Sequence, residues 1–299
     1  MNRTDSTRIR ETRSEAELNA TMPQSRERGT ARRSRSSPVR GRVPLLGALA
    51  LLAGFIALPI VSLVLWTVDE GSWRAMTSPV AWDALMLSAR TTSITLCTVI
   101  LLGTPAAYVL ARYDFPGKRL VDTLVDIPAV LPPSATGIAL LLAFGRFGLL
   151  GEHLTAFGIT ISFTTAAVVL AELFVASHFY VRQASVGFAQ VDRVLEESAM
   201  VDGARRITVF LRITVPLAFP ALLAGAVMAW ARALGEFGAT IIFAGNLQGV
   251  TQTIPLAIFS TLERDFDAAV ALSVLVLGFA FAVIFCVRYI TRKAAEIGE

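Results

Sequence analysis

The sequence predicts an all-α protein that crosses a membrane six times, and three observations predict it. The first is composition. Hydrophobic residues make up 54% of the 299 and charged residues 17%, against roughly 45–50% and 25% in soluble domains, and mean hydropathy is +0.62. The second is a set of uncharged runs as long as a bilayer is thick. The third is the crowding of Lys and Arg onto alternate connecting segments.

Residues 1–42 carry 11 Lys+Arg against 5 Asp+Glu and few large apolar side chains. Such a segment cannot bury enough surface to offset its ordering entropy, so it reads as a disordered basic tail, with 43–299 as the transmembrane domain. The tail also explains the basic pI. The other 257 residues hold 16 Lys+Arg against 18 Asp+Glu, which excludes a nucleic-acid-binding domain. Two cysteines, Cys97 and Cys286, lie in apolar stretches. They read as small buried hydrophobes, and a disulfide-stapled fold is excluded.

Residues 43–68 are 26 without a charge, too long for the apolar core of a signal peptide. Residues 91–111 give 21, 127–145 give 19 and 268–287 give 20. About 20 helical residues cross a ~30 Å hydrocarbon layer. Two more spans are interrupted by single charges: 161–181 with Glu172, and 215–243 with Arg232 and Glu236. Residues 237–262 are also uncharged but contain Gly245, Asn246, Gly249 and Pro255, so their second half reads as an outer loop that partly re-enters the membrane.

With the N-terminus inside, six crossings place 22 Lys+Arg on inner segments and three (Arg74, Arg146, Arg264) on outer ones. The positive-inside rule then sets both termini in the cytoplasm.

Nothing in the chain binds nucleotide by a known loop. The only Gly-Lys pair, Gly117-Lys118, is followed by Arg119 and lacks the preceding glycine that a P-loop needs. His153 and His178 are 25 apart with no metal-ligand spacing. No cofactor or catalytic set is expected, and energy for any transport must come from a partner or a gradient.

The longest inner segment is the most informative. Asp192 is placed to cap a helix of about ten residues and Gly203 to stop it. Val194, Leu195, Ala199 and Met200 share one face. A solvated connector needs none of this, whereas a short helix fitting a groove on another protein does. The segment resembles the Glu-Ala-Ala loop of ABC-transporter permeases of the type I importer class. Glu197-Ser198-Ala199, Gly203, and Ile213-Thr214-Val215-Pro216 match its spacing, with Ser198 and Val215 as size-conservative departures. The resemblance covers about 86–288, with the loop itself at about 186–216. It implies a homodimeric permease, two copies of a cytoplasmic ATPase docked at this loop as a coupling helix, and an extracytoplasmic anion-binding protein.

A narrower likeness follows. Arg232-Ala233-Leu234-Gly235-Glu236-Phe237-Gly238-Ala239-Thr240, then Ala244-Gly245-Asn246 and Thr251-Gln252-Thr253, is similar to the fifth span of molybdate-type permeases; Asp126-Ile127-Pro128 to Leu131-Pro132-Pro133 is similar to their third. Sulfate-type permeases share Gly-Glu-Phe-Gly. The combination favours molybdate or tungstate, with sulfate or thiosulfate as the alternative. A gradient-driven secondary transporter and a plain membrane anchor are more distant readings.

Charges and prolines inside the spans mark two candidate walls of a path. Arg232 and Glu236 are four apart and can pair; they line a path or form a structural ion pair. Pro128, Pro132 and Pro133 remove three backbone donors in six residues, forcing a kink or break that is tolerated only against protein or a wet cavity. Residues 128–137 are therefore the second candidate. Glu172 is expected to bond a hydroxyl or His178, and Asp122 and Asp126 to be solvated or to pair with basic loop residues. Small residues around Gly103 and Ala107 should give span 2 a close-packing face.

Overall fold

The computed structural model describes residues 42–67 and 70–297. The tail read as 1–42 therefore lies outside the described residues except for Arg42, which begins the first helix. The described residues form helices and turns only. In chain order these are α1 (Arg42–Trp66), α2 (Glu70–Met76), α3 (Pro79–Arg112), α4 (Lys118–Val130), α5 (Pro133–Phe144), α6 (Gly151–Ala156), α7 (Thr165–Gln190) and α8 (Arg193–Val201). Then come α9 (Arg206–Val209), a π-turn (Phe210–Thr214), α10 (Val215–Leu234), α11 (Gly238–Phe243), α12 (Ile254–Leu262) and α13 (Phe266–Ile297).

Five stretches are long and apolar enough to cross a membrane; α4 and α5 pass the same test together but are bent by 120° at a break, and make a sixth if the pair is one span. The chain divides after Ile56. Up to that point every side chain described on α1 is exposed. From Ala57 on, Trp66 Nε1 donates to Asp267 Oδ1 at 3.0 Å, tying the end of α1 to the start of α13.

The core forms around α7, which packs along both α3 and α10. Ala167, Ala171, Ala176, Ala184 and Gly187 lie on its buried face, between larger buried side chains such as Val168, Tyr180 and Phe188. Small residues let helix backbones approach closely where lipid offers no hydrophobic drive between spans. A Cβ on Gly187 would collide with the Ala221 methyl of α10, and one on Gly103 would lie 2.8 Å from Cδ1 of Tyr180. Gly103 and Ala107 are both buried on α3, the close-packing face the sequence suggests. Polar ties cross the same contacts. Thr91 and Thr95 each donate to the buried Glu172 carboxylate at 2.8 Å, and the Thr104 and Tyr180 hydroxyls meet at 2.6 Å.

Several boundaries differ from the sequence reading. Span 2 starts at Pro79, capped by Ser78, twelve residues before the expected uncharged run, because a helix can carry Asp83 and Arg90 near one end. Span 4 runs Thr165–Gln190 rather than ending at 181, because Arg182 is neutralised inside the bundle: its guanidinium meets Asp126 at 2.6 and 2.7 Å and Asp122 at 3.0 Å. Those two aspartates pair with a span residue, not a loop residue. His178 approaches Val125 O and Asp126 at 3.0 and 3.2 Å and leaves Glu172 to the threonines.

Span 5 is Arg206–Leu234, ending before Glu236. The rest of the expected 215–243 span becomes a turn and α11. Among 237–262, the buried Ala239, Phe243, Ile254 and Leu256 pack inward, with Ile254 N donating to Ser88 Oγ at 2.9 Å. Cys97 and Cys286 are exposed rather than buried; on outward faces of apolar helices a thiol behaves as one more small hydrophobe.

The prolines act unequally. Pro128 is buried within α4 and does not end it. The break is at Leu131–Pro132, where Leu131 is extended (ψ 131°) and Pro133 opens α5. Proline disfavours helical backbone in the residue before it and suits the first helical position. The two halves meet successive levels of α7, α4 at Arg182 and His178 and α5, through Leu140, at Ala167, Val168 and Ala171.

Gly187→Leu should lower the stability of the detergent-solubilised protein by about 1–3 kcal/mol or more, the usual cost of overpacking. Gly47→Leu, with open space around it, should change it by less than about 0.5 kcal/mol. Thermal unfolding of the two variants checks this.

Candidate functional site

The first part of the candidate site is the segment between α7 and α10. Asp192 Oδ1 accepts from Val194 N at 2.9 Å and starts α8. At the other end Gly203 has φ +90°, and Ala204 N donates back to Ala199 O at 3.0 Å. That left-handed closing turn is what makes glycine fit there.

On the nine-residue helix between, Val194 is 65% exposed, Leu195 49% and Met200 40%. Glu197 and Ser198 are exposed and Ala199 is half-buried. Of the apolar residues named from the sequence, Val194 and Leu195 are therefore turned outward, whereas Ala199 is half-buried and Met200 lies beside Glu196 in the wall of a cavity. Ile213 lies in the π-turn, half-buried, and Pro216 in the first turn of α10, exposed.

One residue of this helix is buried. Glu196 is 8% exposed and accepts from Thr214 Oγ1 at 2.6 Å and Arg112 Nη2 at 3.2 Å. The sequence reading did not single it out. Its partners stand 18 and 84 residues away, and no local spacing connects them. A cavity of about 580 Å³ opens beside it, with Tyr108, Arg112, Arg193, Met200 and Phe210 in its wall.

The second part is a corner of the bundle. Arg232 Nη2 lies 2.8 Å from Glu236 Oε2, an ion contact between a guanidinium with 30% of its side chain exposed and a carboxylate with 1%. The pair does not share one helix face, because α10 stops at Gly235. Glu236 instead turns back, and its Oε1 accepts from Ala239 N at 2.8 Å, at the start of α11.

Here the two candidate walls meet. A Cβ on Gly238 would lie 2.5 Å from Pro133 Cβ, and one on Gly137 would lie 2.8 Å from Ile242 Cβ. Pro133 thus sits against the Glu236–Gly238 turn, with Pro132 exposed beside it. Pro128 lies back in α4, before the break. The buried hydroxyls of Thr136 on α5 and Thr240 on α11 have no partner among the described residues. No cluster of His, Cys, Asp and Glu suited to a metal ion is found among the described residues.

Comparison with known proteins now bears on this arrangement. The family described as binding-protein-dependent transport system inner membrane component matches residues 99–296. The chain belongs to this family. It is a membrane-embedded permease subunit of an importer. It is 44% identical over 238 residues to the molybdenum transport system permease protein ModB of Mycobacterium tuberculosis, covering 79% of this chain and 90% of that one. It is 39% identical over 204 residues to ModB of Escherichia coli, covering 68% and 89%. It is also 31% identical over 246 residues to a probable sulfate transport system permease protein, cysT, of Chlorokybus atmophyticus, covering 81% and 86%.

The fold of this permease matches a chain of a bacterial alginate ABC transporter, crystallised in complex with an alginate pentasaccharide-bound periplasmic protein. The TM-score is 0.68 at 16% identity, covering 87% of this chain and 98% of that one.

Removing one partner of a largely buried ion pair leaves an uncompensated charge. Arg232→Gln should destabilise this permease by about 1–3 kcal/mol, and adding Glu236→Gln should recover most of that loss. A double-mutant cycle on thermal unfolding in detergent measures the coupling.

Proposed function

We propose that this permease translocates molybdate or tungstate across the cytoplasmic membrane of a prokaryote, as one half of a homodimer driven by ATP. The observation that carries the substrate is the 44% identity to a molybdenum permease over 79% of the chain, against 31% to a sulfate permease. The sulfate relatives make sulfate or thiosulfate the second reading.

The Lys and Arg asymmetry favours both termini in the cytoplasm, which puts α8 on the cytoplasmic side. A short helix that leaves apolar residues such as Val194 and Leu195 exposed is suited to lie in a groove. Val194, Leu195 and Met200, with Glu197 and Ser198 beside them, would seat in a cleft on a cytoplasmic ATPase, one per permease. An extracytoplasmic anion-binding protein would deliver the anion at the opposite face. Closure of two ATPases on ATP would displace both α8 helices and turn the path from inward-facing to outward-facing.

At the corner, Arg232 is the accessible member of its pair and Glu236 the buried one. A guanidinium already neutralised by a carboxylate offers a passing dianion a weak contact. That suits release, and it leaves selectivity to the binding protein.

Source cells with and without the gene should differ in uptake of labelled molybdate at low concentration and not in uptake of labelled sulfate. Loss of sulfate uptake alone would replace the substrate and keep the coupling argument. Gly203→Leu, forced into a left-handed turn, should abolish uptake while the protein still inserts; normal uptake by that variant would remove α8 as the docking element.

A further inference from the structure

Glu196 and Glu197 are neighbours on α8 with opposite surroundings: Glu197 is exposed and Glu196 buried. The buried carboxylate does more than hold its own helix. Its Oε1 takes hydrogen bonds from Arg112, the last residue of α3, and from Thr214, the last residue of the π-turn that leads into α10. Arg112 Nη2 also donates to Val191 O at 2.8 Å, where α7 ends. Arg193 Nη2 returns a bond to Arg112 O at 3.3 Å.

One carboxylate and one guanidinium therefore hold the ends of α3, α7, α8 and α10 at a single point. Both side chains are nearly out of water, with 7% of Arg112 and 10% of Glu196 exposed. Aromatic rings pack beside them. Tyr108 meets Phe210 edge-on at 4.8 Å and Phe188 at 5.5 Å.

Such a joint cannot stretch gradually. Hydrogen bonds weaken steeply once geometry is lost, and separating the pair would leave two largely buried charges without each other. The chain on the far side of α8, by contrast, turns at Gly203 with open space around it. The π-turn places the Thr214 hydroxyl on Glu196, and π-turns recur where helices carry function.

We propose that the Arg112–Glu196–Thr214 junction is a rigid joint through which displacement of α8 passes to α3, α7 and α10, with Glu196 and Thr214 as positioning residues for transport. The inference rests on the reading that α8 docks on an ATPase.

The test uses the assembled transporter, this permease with its ATPase and binding protein, in proteoliposomes. Thr214→Val removes the hydroxyl at constant shape, and Glu196→Gln keeps an acceptor but drops the charge. With the joint, both variants retain the ATPase on purification and hydrolyse ATP within about twofold of the parent. Their ATP consumed per labelled molybdate taken up rises about tenfold, and Thr214→Ser restores the ratio. An unchanged ratio in both variants, or hydrolysis and uptake falling together, overturns the joint. If Glu196→Gln fails to accumulate, Thr214→Val decides alone.

A second readout is independent of the anion. Spin labels at Asp202→Cys and Leu101→Cys, with Cys97 and Cys286 replaced by serine, should keep one distance with and without a non-hydrolysable ATP analogue, and that distance should broaden in Thr214→Val. A nucleotide-dependent change in the parent would overturn the joint. Failure of the parent permease to retain the ATPase would instead overturn the docking reading, and the joint with it.

Discussion

Alanine and glycine along α7 let α3 and α10 approach until the side chains of one helix touch the backbone of the next. In water, burial of large apolar side chains would drive such contacts; between helices in an apolar medium the gain comes from close van der Waals fit and from polar groups that find partners. The buried face of α7 is built for the first, with Ala167, Ala171, Ala176, Ala184 and Gly187. It is stapled by the second, through Glu172 and Tyr180 to threonines of α3. Many large apolar residues also sit on the outside, among them Leu101 at 74% exposed and Phe281 at 70%, which fits a lipid surrounding.

With the centre packed this way, charge is admitted only where it is answered. Arg182 lies within α7 because two aspartates of α4 meet it. Glu236 lies buried because Arg232 and the first turn of α11 share its two oxygens. Glu196 lies buried because Arg112 and Thr214 converge on it. Each of these ties joins different helices or the two sides of a break, so each fixes a relation between elements rather than adding to the stability of one. Around them Val194 and Leu195 of α8 are left exposed, beside the exposed Glu197 and Ser198.

The proline break and the turn at Gly235 serve one another. A half-helix ending at Leu131 and a span ending at Leu234 would each leave backbone groups open. Stacking Pro133 on Gly238 lets α5 and α11 cover each other, with Gly137 admitting Ala239 and Ile242. The likeness to the alginate transporter at 16% identity shows how little of this needs particular residues for the fold to form.

The sequence by itself determined the helical class, where the apolar stretches lie and the loop helix, because those depend on local quantities: the length of an uncharged run against a fixed bilayer thickness, and caps at Asp192 and Gly203 within a few residues of what they cap. It also located the break, since Pro132 and Pro133 act on their immediate neighbours. Where each span starts and stops was decided by tertiary structure: α7 runs on through Arg182 because its partners come from α4, 56 and 60 residues away, and α10 ends at Gly235 because Glu236 is needed at α11. The meeting of Pro133 with the Glu236 corner and the contacts of Glu196 with Arg112 and Thr214 were likewise out of reach of periodicity and spacing. A carboxylate becomes buried when cations and hydroxyls from distant segments arrive around it, and only the packing of the helices brings them there.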